Sequence, residues 1–111
     1  MPIGRTIALA ALYLSPILVA QQTSLIGGTV KDSQGALLPG APVEVVGVET
    51  NTHFSTKTNE RGEYLVPSLP TAIYRVSVSR KGFQTAVVDG VSLEPGAPAT
   101  VNITLRVGNV T

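Results

Sequence analysis

The 111-residue sequence contains no cysteine, no tryptophan and a single histidine. Without cysteine there can be no disulfide framework, thiolate zinc site or thiol nucleophile, and one histidine excludes metal centres that need a histidine pair. Charged residues make up only 14% and the formal net charge is +1, so the chain lacks the positive field that binds nucleic acid. These absences disfavour most enzyme classes, and we expect neither a cofactor nor a nucleic-acid partner.

The N-terminus is predicted to be a secretory signal peptide, with its signal helix in residues 1–20. Arg5 supplies the positive start, Ile7 to Val19 is apolar, and Ala20 is a small residue suited to cleavage. An uncleaved membrane anchor is the alternative, but the apolar run is shorter than the roughly 20 residues of a spanning helix. We therefore expect an exported protein whose mature domain, residues 21–107, does not insert into a membrane, with residues 108–111 starting a linker or tail.

No helical periodicity follows residue 20. Short runs rich in Val, Thr and Tyr alternate instead with turn clusters, which is typical of an all-β sandwich. About seven strands are predicted, at residues 25–31, 42–49, 53–58, 63–67, 74–79, 84–93 and 101–106. Residues 69–72 are predicted to form a short connection. The single domain that this pattern describes fits the length of the chain.

Two strands carry more detailed expectations. In the last strand Val101, Ile103 and Leu105 should point inward, because alternate side chains of a strand face the same side. In the strand from 42 to 49, Val46 and Val48 fall on the face opposite Val43 and Val45. That strand should therefore be covered on both faces or carry a bulge near Gly47.

Short sequence landmarks occur in a distinctive order along the mature chain. They are GGTVKD at 27–32, Gly35, LPGA at 38–41, VEV at 43–45, TNERGEY at 58–64, Leu69, YRVSV at 74–78 and Gly82-Phe83. Together they resemble the carboxypeptidase regulatory-like domain, over about residues 24–107. The resemblance implies a Greek-key β-sandwich of the transthyretin (prealbumin) type, which serves as a non-catalytic accessory to other domains.

The landmark residues have structural roles in turns and core rather than roles in a catalytic site. Glycines supply positive φ or close backbone approach in turns, Asp bonds backbone amides there, and each tyrosine offers a ring to the core and a hydroxyl that needs a partner. The residues assigned these roles are Asp32, Gly35, Pro39, Gly40, Gly62, Tyr64, Tyr74, Gly82 and Phe83.

A narrower resemblance concerns the order of the segments. A signal peptide, then this domain, then a last strand ending in LRVG at 105–108 is similar to the opening of TonB-dependent outer-membrane receptors. In those receptors the domain precedes a plug and a barrel, neither of which these residues contain. The resemblance implies a location at the periplasm or outer membrane and a partner that is an envelope protein or the downstream receptor domains. A short secreted protein is the alternative.

Candidate chemistry is sparse. His53 lies in the most polar strand and is expected to be an exposed residue rather than a base or ligand. Two groups could supply oxygens to Ca²⁺, Asp32 with Gly35 and Asn59 with Glu60 and Glu63, but neither has the acidic density of a calcium loop. Ordinary turn chemistry explains both.

An intramolecular Lys–Asn isopeptide bond, as in collagen-adhesin repeats of similar fold, is disfavoured. Val30 and Val78 occupy the positions where that pattern has its lysine and its assisting glutamate. Lys31 and Asn102 should point outward by strand alternation.

Glycan binding is the functional alternative that the sequence leaves open. Sugar platforms usually present exposed aromatic faces. Of the four aromatic residues after the signal peptide, three coincide with core landmarks, and only Phe54 is expected to be free. A secreted carbohydrate-binding-like module that depends on Phe54 is therefore the second hypothesis.

Overall fold

The computed structural model describes residues 22–108, and every regular element in that part of the chain is a β-strand. The strands are β1 (Thr23–Asp32), β2 (Pro42–Gly47), β3 (His53–Lys57), β4 (Glu63–Pro70), β5 (Ile73–Val78), β6 (Ala86–Ser92), β7 (Ala99–Thr100) and β8 (Ile103–Leu105). Within these residues no helix is long and apolar enough to cross a membrane. The predicted signal peptide and most of the predicted tail lie outside the described residues.

Two four-stranded sheets pack face to face, so the predicted all-β sandwich is confirmed. In the first sheet β1 is central: it pairs antiparallel with β4 on one side and parallel with β7 and then β8 on the other. The second sheet has the order β3-β2-β5-β6 and is antiparallel throughout. The chain therefore crosses between the sheets after β1, β3, β4 and β6.

The core consists of the inward-facing side chains of both sheets. Alternation is clearest in β2 and β5, where Val43, Val45, Val76 and Val78 are buried and their neighbours in sequence are more exposed. Strands of this kind are stabilised by burial of one face against the opposite sheet. The remaining buried apolar residues are Ile26, Val30, Leu38, Ala41, Tyr64, Val66, Leu69, Tyr74, Leu93, Ile103 and Leu105.

The C-terminal strand differs from its prediction. It is divided into β7 and β8, which raises the count to eight, and residues 101 and 102 between them belong to neither. Ile103 and Leu105 are buried as predicted, but Val101 is only half-buried. The division allows one segment to pair first with the N-terminal half of β1 and then with its C-terminal half.

The predicted connection at residues 69–72 is also partly wrong, because β4 continues to Pro70. Leu69 is fully buried, and Ser24 of β1 pairs with it. The strand passes a bulge at Ser68, which adopts a φ of 59°. A proline at the end of an edge strand costs no ladder bond, which is why the sequence signal of Pro70 was misleading.

For β2 the sequence predicted either cover on both faces or a bulge near Gly47, and the structure has neither. β2 pairs with both neighbours without a register shift, so there is no bulge near Gly47. Val46 is half-buried on the outer face, and Val48 lies beyond the end of the strand with 52% of its surface exposed. A bulge occurs instead in β6 opposite β5, where Gly90 has a φ of 71°.

Gly28 allows the backbone between β7 and β8 to pass close to β1. A Cβ atom at Gly28 would lie 2.0 Å from the carbonyl oxygen of Val101. That oxygen accepts a hydrogen bond of 2.5 Å from the hydroxyl of Tyr64, the residue that pairs with Gly28 from β4. The tyrosine therefore reaches across β1 at Gly28, where there is no side chain in its path.

We expect Gly28→Ala to destabilise the fold by about 1–3 kcal/mol or more, because the added methyl group collides with backbone that cannot move independently. Gly27→Ala is the matched control, since its Cβ would meet nothing nearer than 3.3 Å. Urea unfolding of both variants measures the difference. Equal stabilities of the two variants would contradict the proposed packing.

Candidate functional site

Asp32 organises the turn after β1. One carboxylate oxygen accepts hydrogen bonds from the backbone N–H groups of Gln34 and Ala36, both at 2.9 Å. Gly35 completes the turn with a φ of 88°, a conformation that other residues rarely adopt. The carboxylate oxygen is therefore engaged by its own turn.

Asn59 organises the turn between β3 and β4 in the same way. Its side-chain oxygen accepts hydrogen bonds from the N–H groups of Arg61 and Glu63, both at 2.9 Å. Gly62 has a φ of 71°, and a Cβ there would lie 2.8 Å from the carbonyl oxygen of Val30. This position needs glycine for both its conformation and its contacts. Across residues 22–108 there is no group of three or more His, Cys, Asp or Glu side chains that could hold a metal ion.

Other predicted turn landmarks hold loops together. The Arg80 guanidinium donates a hydrogen bond of 2.8 Å to the Pro39 carbonyl, and the N–H of Gly40 donates to the Thr58 carbonyl. Gly82 has a φ of 91°, and Phe83 beside it is half-buried and pairs with Val107. These contacts join the loops at one end of the sandwich and give none of these residues a catalytic geometry.

The two landmark tyrosines are core residues with satisfied hydroxyl groups. Tyr74 donates a hydrogen bond of 2.5 Å to the Pro70 carbonyl, as Tyr64 does to Val101. Burial raises the pKa of Tyr64 to about 12 and raises the pKa of Tyr74 as well. Both are therefore neutral hydrogen-bond donors at physiological pH.

His53 lies beside Glu44 of the adjacent strand at the surface. Its Nδ1 lies 2.9 Å from a carboxylate oxygen of Glu44, and about half of each side chain is exposed. An exposed pair of this kind contributes little to stability. No nucleophilic side chain is hydrogen-bonded to His53 among the described residues.

Phe54 is not the free aromatic platform that the sequence predicted. Its ring is half-buried and packs against the core. It makes an edge-to-face contact with Tyr74, with ring centroids 6.4 Å apart and an interplanar angle of 69°. The prediction failed because Phe54 lies on an edge strand, whose inner side chains pack against the core although the surrounding sequence is polar.

A groove lies on the outer side of β1 and β4 and has a volume of about 650 Å³. We call it the β1 groove. Gly27 and Gly28 contribute no side chains to it, and Leu65 borders it with 54% of its surface exposed. Thr29, Lys57, Asn59, Glu63, Tyr64, Thr100 and Asn102 complete the lining.

Asn102 is the residue of this groove whose role the sequence analysis missed. Its side-chain oxygen accepts hydrogen bonds from the N–H of Thr29 at 3.0 Å and from the hydroxyl of Thr29 at 3.2 Å. The side chain thereby replaces a backbone partner in the gap between β7 and β8. Strand alternation predicted only that Asn102 points outward, and no local motif marks the interruption of the strand.

The comparisons with known proteins agree with this fold. A model of the carboxypeptidase regulatory-like domain family matches residues 25–106. A search of curated proteins found no match.

Similar solved structures include three proteins of different kinds. Catechol 1,2-dioxygenase from Acinetobacter radioresistens has a TM-score of 0.65 at 14% identity over 82% of this chain and 54% of its own. For the Bacillus anthracis TIE protein the TM-score is 0.61 at 17% identity, with 78% and 17% covered. For a putative carbohydrate binding protein from Bacteroides uniformis it is 0.61 at 19% identity, with 76% and 41% covered. The chain thus spans about half of the dioxygenase chain and less than half of each of the other two. Sequence identities this low show only that the fold is shared.

The tyrosine hydroxyls generate a prediction for alkaline pH. The pKa of Tyr64 is 10.0 in its ordinary state and about 12 in the folded protein, so its neutral form stabilises the fold fully below pH 10. This contribution is lost as the pH rises from about 10 towards about 12. We expect Tyr64→Phe to be less stable at pH 8 by about 1 kcal/mol but to lose less stability between pH 9 and pH 11.5. Denaturant midpoints across this pH range, with Tyr74→Phe for comparison, measure this loss of stability. If stability declines as steeply at alkaline pH in Tyr64→Phe as in the unmodified protein, the decline is not due to Tyr64.

Proposed function

We propose that this chain, which belongs to the carboxypeptidase regulatory-like domain family, is an exported, non-catalytic docking module of the cell envelope. In this proposal the chain is the N-terminal periplasmic domain of a TonB-dependent receptor. A secreted protein is the alternative. The sandwich covers only part of each similar structure, 17–54% of its chain, and this supports a modular role because the same fold recurs there within longer chains.

The observation that carries a docking function is the free edge of β3. This strand forms one end of the second sheet, and among residues 22–108 it pairs only with β2. It runs in continuous register over its five residues, without proline and without a bulge. An exposed regular edge is a template on which an extended segment of another protein can add a strand.

The backbone groups of β3 alternate in direction. Gly47 N–H donates to the Thr52 carbonyl at 2.8 Å, and Thr58 N–H donates to the Ala41 carbonyl at 3.0 Å. With this register, the even-numbered residues 54 and 56 carry the ladder to β2. The N–H and C=O groups of His53, Ser55 and Lys57 are therefore directed away from the sheet.

The other sheet edges are protected. β4 contains Pro67 and Pro70 and is bulged at Ser68. β6 is bulged at Gly90, and residues 82–84 just before it are bonded to residues 106–108. β7 and β8 are only two and three residues long. These are devices that prevent edge-to-edge pairing, and β3 has none of them except its charged side chains.

The envelope location can be tested by the size and place of the native product. We expect an antibody against residues 22–108 to detect a band far larger than 11.5 kDa in the outer-membrane fraction of the producing cells. A small band in the periplasm or medium would contradict the receptor assignment and favour the secreted alternative. A cytoplasmic band would contradict export itself.

The docking edge can be tested by site-specific crosslinking in the producing cells. We expect a photo-crosslinking amino acid at Ser55, which faces outward from β3, to form an adduct with an envelope protein or with downstream residues of the same receptor. Thr104 on β8 is the exposed control, where no adduct is expected.

A proline substitution provides the second arm of this experiment. Ser55→Pro removes an outward N–H without removing a bond to β2, whereas Ser55→Thr keeps it. With the crosslinker placed at Lys57, we expect the adduct to persist in Ser55→Thr and to disappear in Ser55→Pro. Adducts of equal yield in both variants would contradict strand addition.

A second candidate function is glycan binding, which one comparison favours. One of the similar structures is described as a putative carbohydrate binding protein. Because Phe54 packs against the core, this function would have to use a surface other than the one the sequence predicted.

A further inference from the structure

The β1 groove has the features of a binding surface rather than of a gap in the packing. Gly27 and Gly28 line the groove, and at Gly27 the backbone of β1 has no side chain on its outer face, so a ligand can approach it closely there. Gly27 has an ordinary strand conformation, and a Cβ there would lie 3.3 Å from the carbonyl oxygen of Tyr64, a tight contact but a far less severe one than the 2.0 Å at Gly28. The absence of a side chain at Gly27 is therefore not required by packing in the way that it is at Gly28.

Two asparagine side chains are fixed on the walls of this groove. Asn59 uses its side-chain oxygen to accept the N–H groups of Arg61 and Glu63, and Asn102 uses its own to accept from Thr29. Since the oxygens are occupied, the orientation of both amides is determined. The two Nδ2 groups have no partner among residues 22–108 and remain available as donors.

The other groups of the groove complete a mixed polar and apolar surface. Lys57 and Glu63 contribute one positive and one negative charge, which leaves the lining without net charge. Thr29 and Thr100 carry hydroxyl groups, and Leu65 offers an exposed apolar face. Fixed donors, hydroxyls and an apolar wall together match a neutral ligand that has many hydroxyl groups and apolar C–H faces.

We propose that the β1 groove binds a neutral oligosaccharide, with the Nδ2 groups of Asn59 and Asn102 donating to its hydroxyl oxygens and Leu65 packing against a sugar ring. This inference rests on the second candidate function, glycan binding, and names its site; it is independent of docking at β3. The groove is open and presents no aromatic face, so the affinity expected is in the millimolar range.

The test is a titration of the purified protein, as its host processes it, followed by the backbone amide signals in heteronuclear NMR. The probes are maltohexaose, cellohexaose and xylohexaose, with hexagalacturonate as an anionic counterpart. We expect at least one neutral probe to shift the signals of Gly27, Gly28 and Thr29 in a saturable way, and hexagalacturonate to shift them less.

Isosteric variants test whether the sugar binds in the β1 groove or elsewhere on the protein. Asn59→Asp and Asn102→Asp keep the oxygen that accepts the backbone hydrogen bonds but replace the Nδ2 donor. We expect each to weaken binding about three- to tenfold, the effect of one net hydrogen bond. Asn51→Asp is the control, with the same chemical change on the β2–β3 turn, which lines no part of the groove.

A substitution in the floor of the groove gives an independent readout. Gly27→Val places a branched side chain where a sugar would lie, and we expect it to abolish the saturable shifts. The melting temperatures of Asn59→Asp and Asn102→Asp are measured as well, and we expect them to be unchanged. These two variants then show that binding is lost without loss of folding, and they keep the test valid if Gly27→Val is unstable.

Each outcome has a defined meaning. The site is supported if a neutral probe binds saturably, if Asn51→Asp keeps this binding and if the groove variants weaken it. Binding that the groove variants leave unchanged overturns the site while glycan binding stands. If no probe binds, both the site and the second candidate function are overturned, and docking at β3 is unaffected. Tighter binding of hexagalacturonate overturns the assignment of a neutral ligand.

Discussion

The close approach of the Val101 backbone to Gly28 is the constraint on which the rest of the structure depends. It places Val101 within reach of the Tyr64 hydroxyl, and it divides the C-terminal segment into β7 and β8. β1 is thereby paired on both sides along most of its length and becomes the centre of its sheet. In a domain without disulfides, this hydrogen-bonded packing at the centre of a sheet takes over part of the role that crosslinks have in small disulfide-rich domains.

Sequence reasoning succeeded where a local rule determines the structure. Alternation identified the inward faces of β2 and β5, and glycines with an Asx residue identified the turns after β1 and before β4. It failed where the outcome depends on a distant segment. The interruption of the last strand at Asn102 follows from the contact with Gly28 in β1, and nothing near Asn102 in the sequence reports on that contact.

The same limit explains why the sequence did not indicate the two proposed surfaces. Phe54 was expected to be free because it is the one aromatic residue after the signal peptide that is not a core landmark, yet its ring packs on the core through Tyr74. The β1 groove joins residues from the β1, β4 and β7–β8 regions, so no continuous motif describes it. The free edge of β3 becomes visible only when the protection of the other three edges is known.

The two proposed surfaces share a single residue. Lys57 ends β3 and also lines the β1 groove, whereas His53 and Ser55 lie along the edge and Asn102 lies on the far side of β1. A strand added to β3 would extend the second sheet, while a ligand in the groove would rest on the outer face of the first. The sandwich can therefore present both surfaces at once, because one is an edge of the second sheet and the other lies on the outer face of the first.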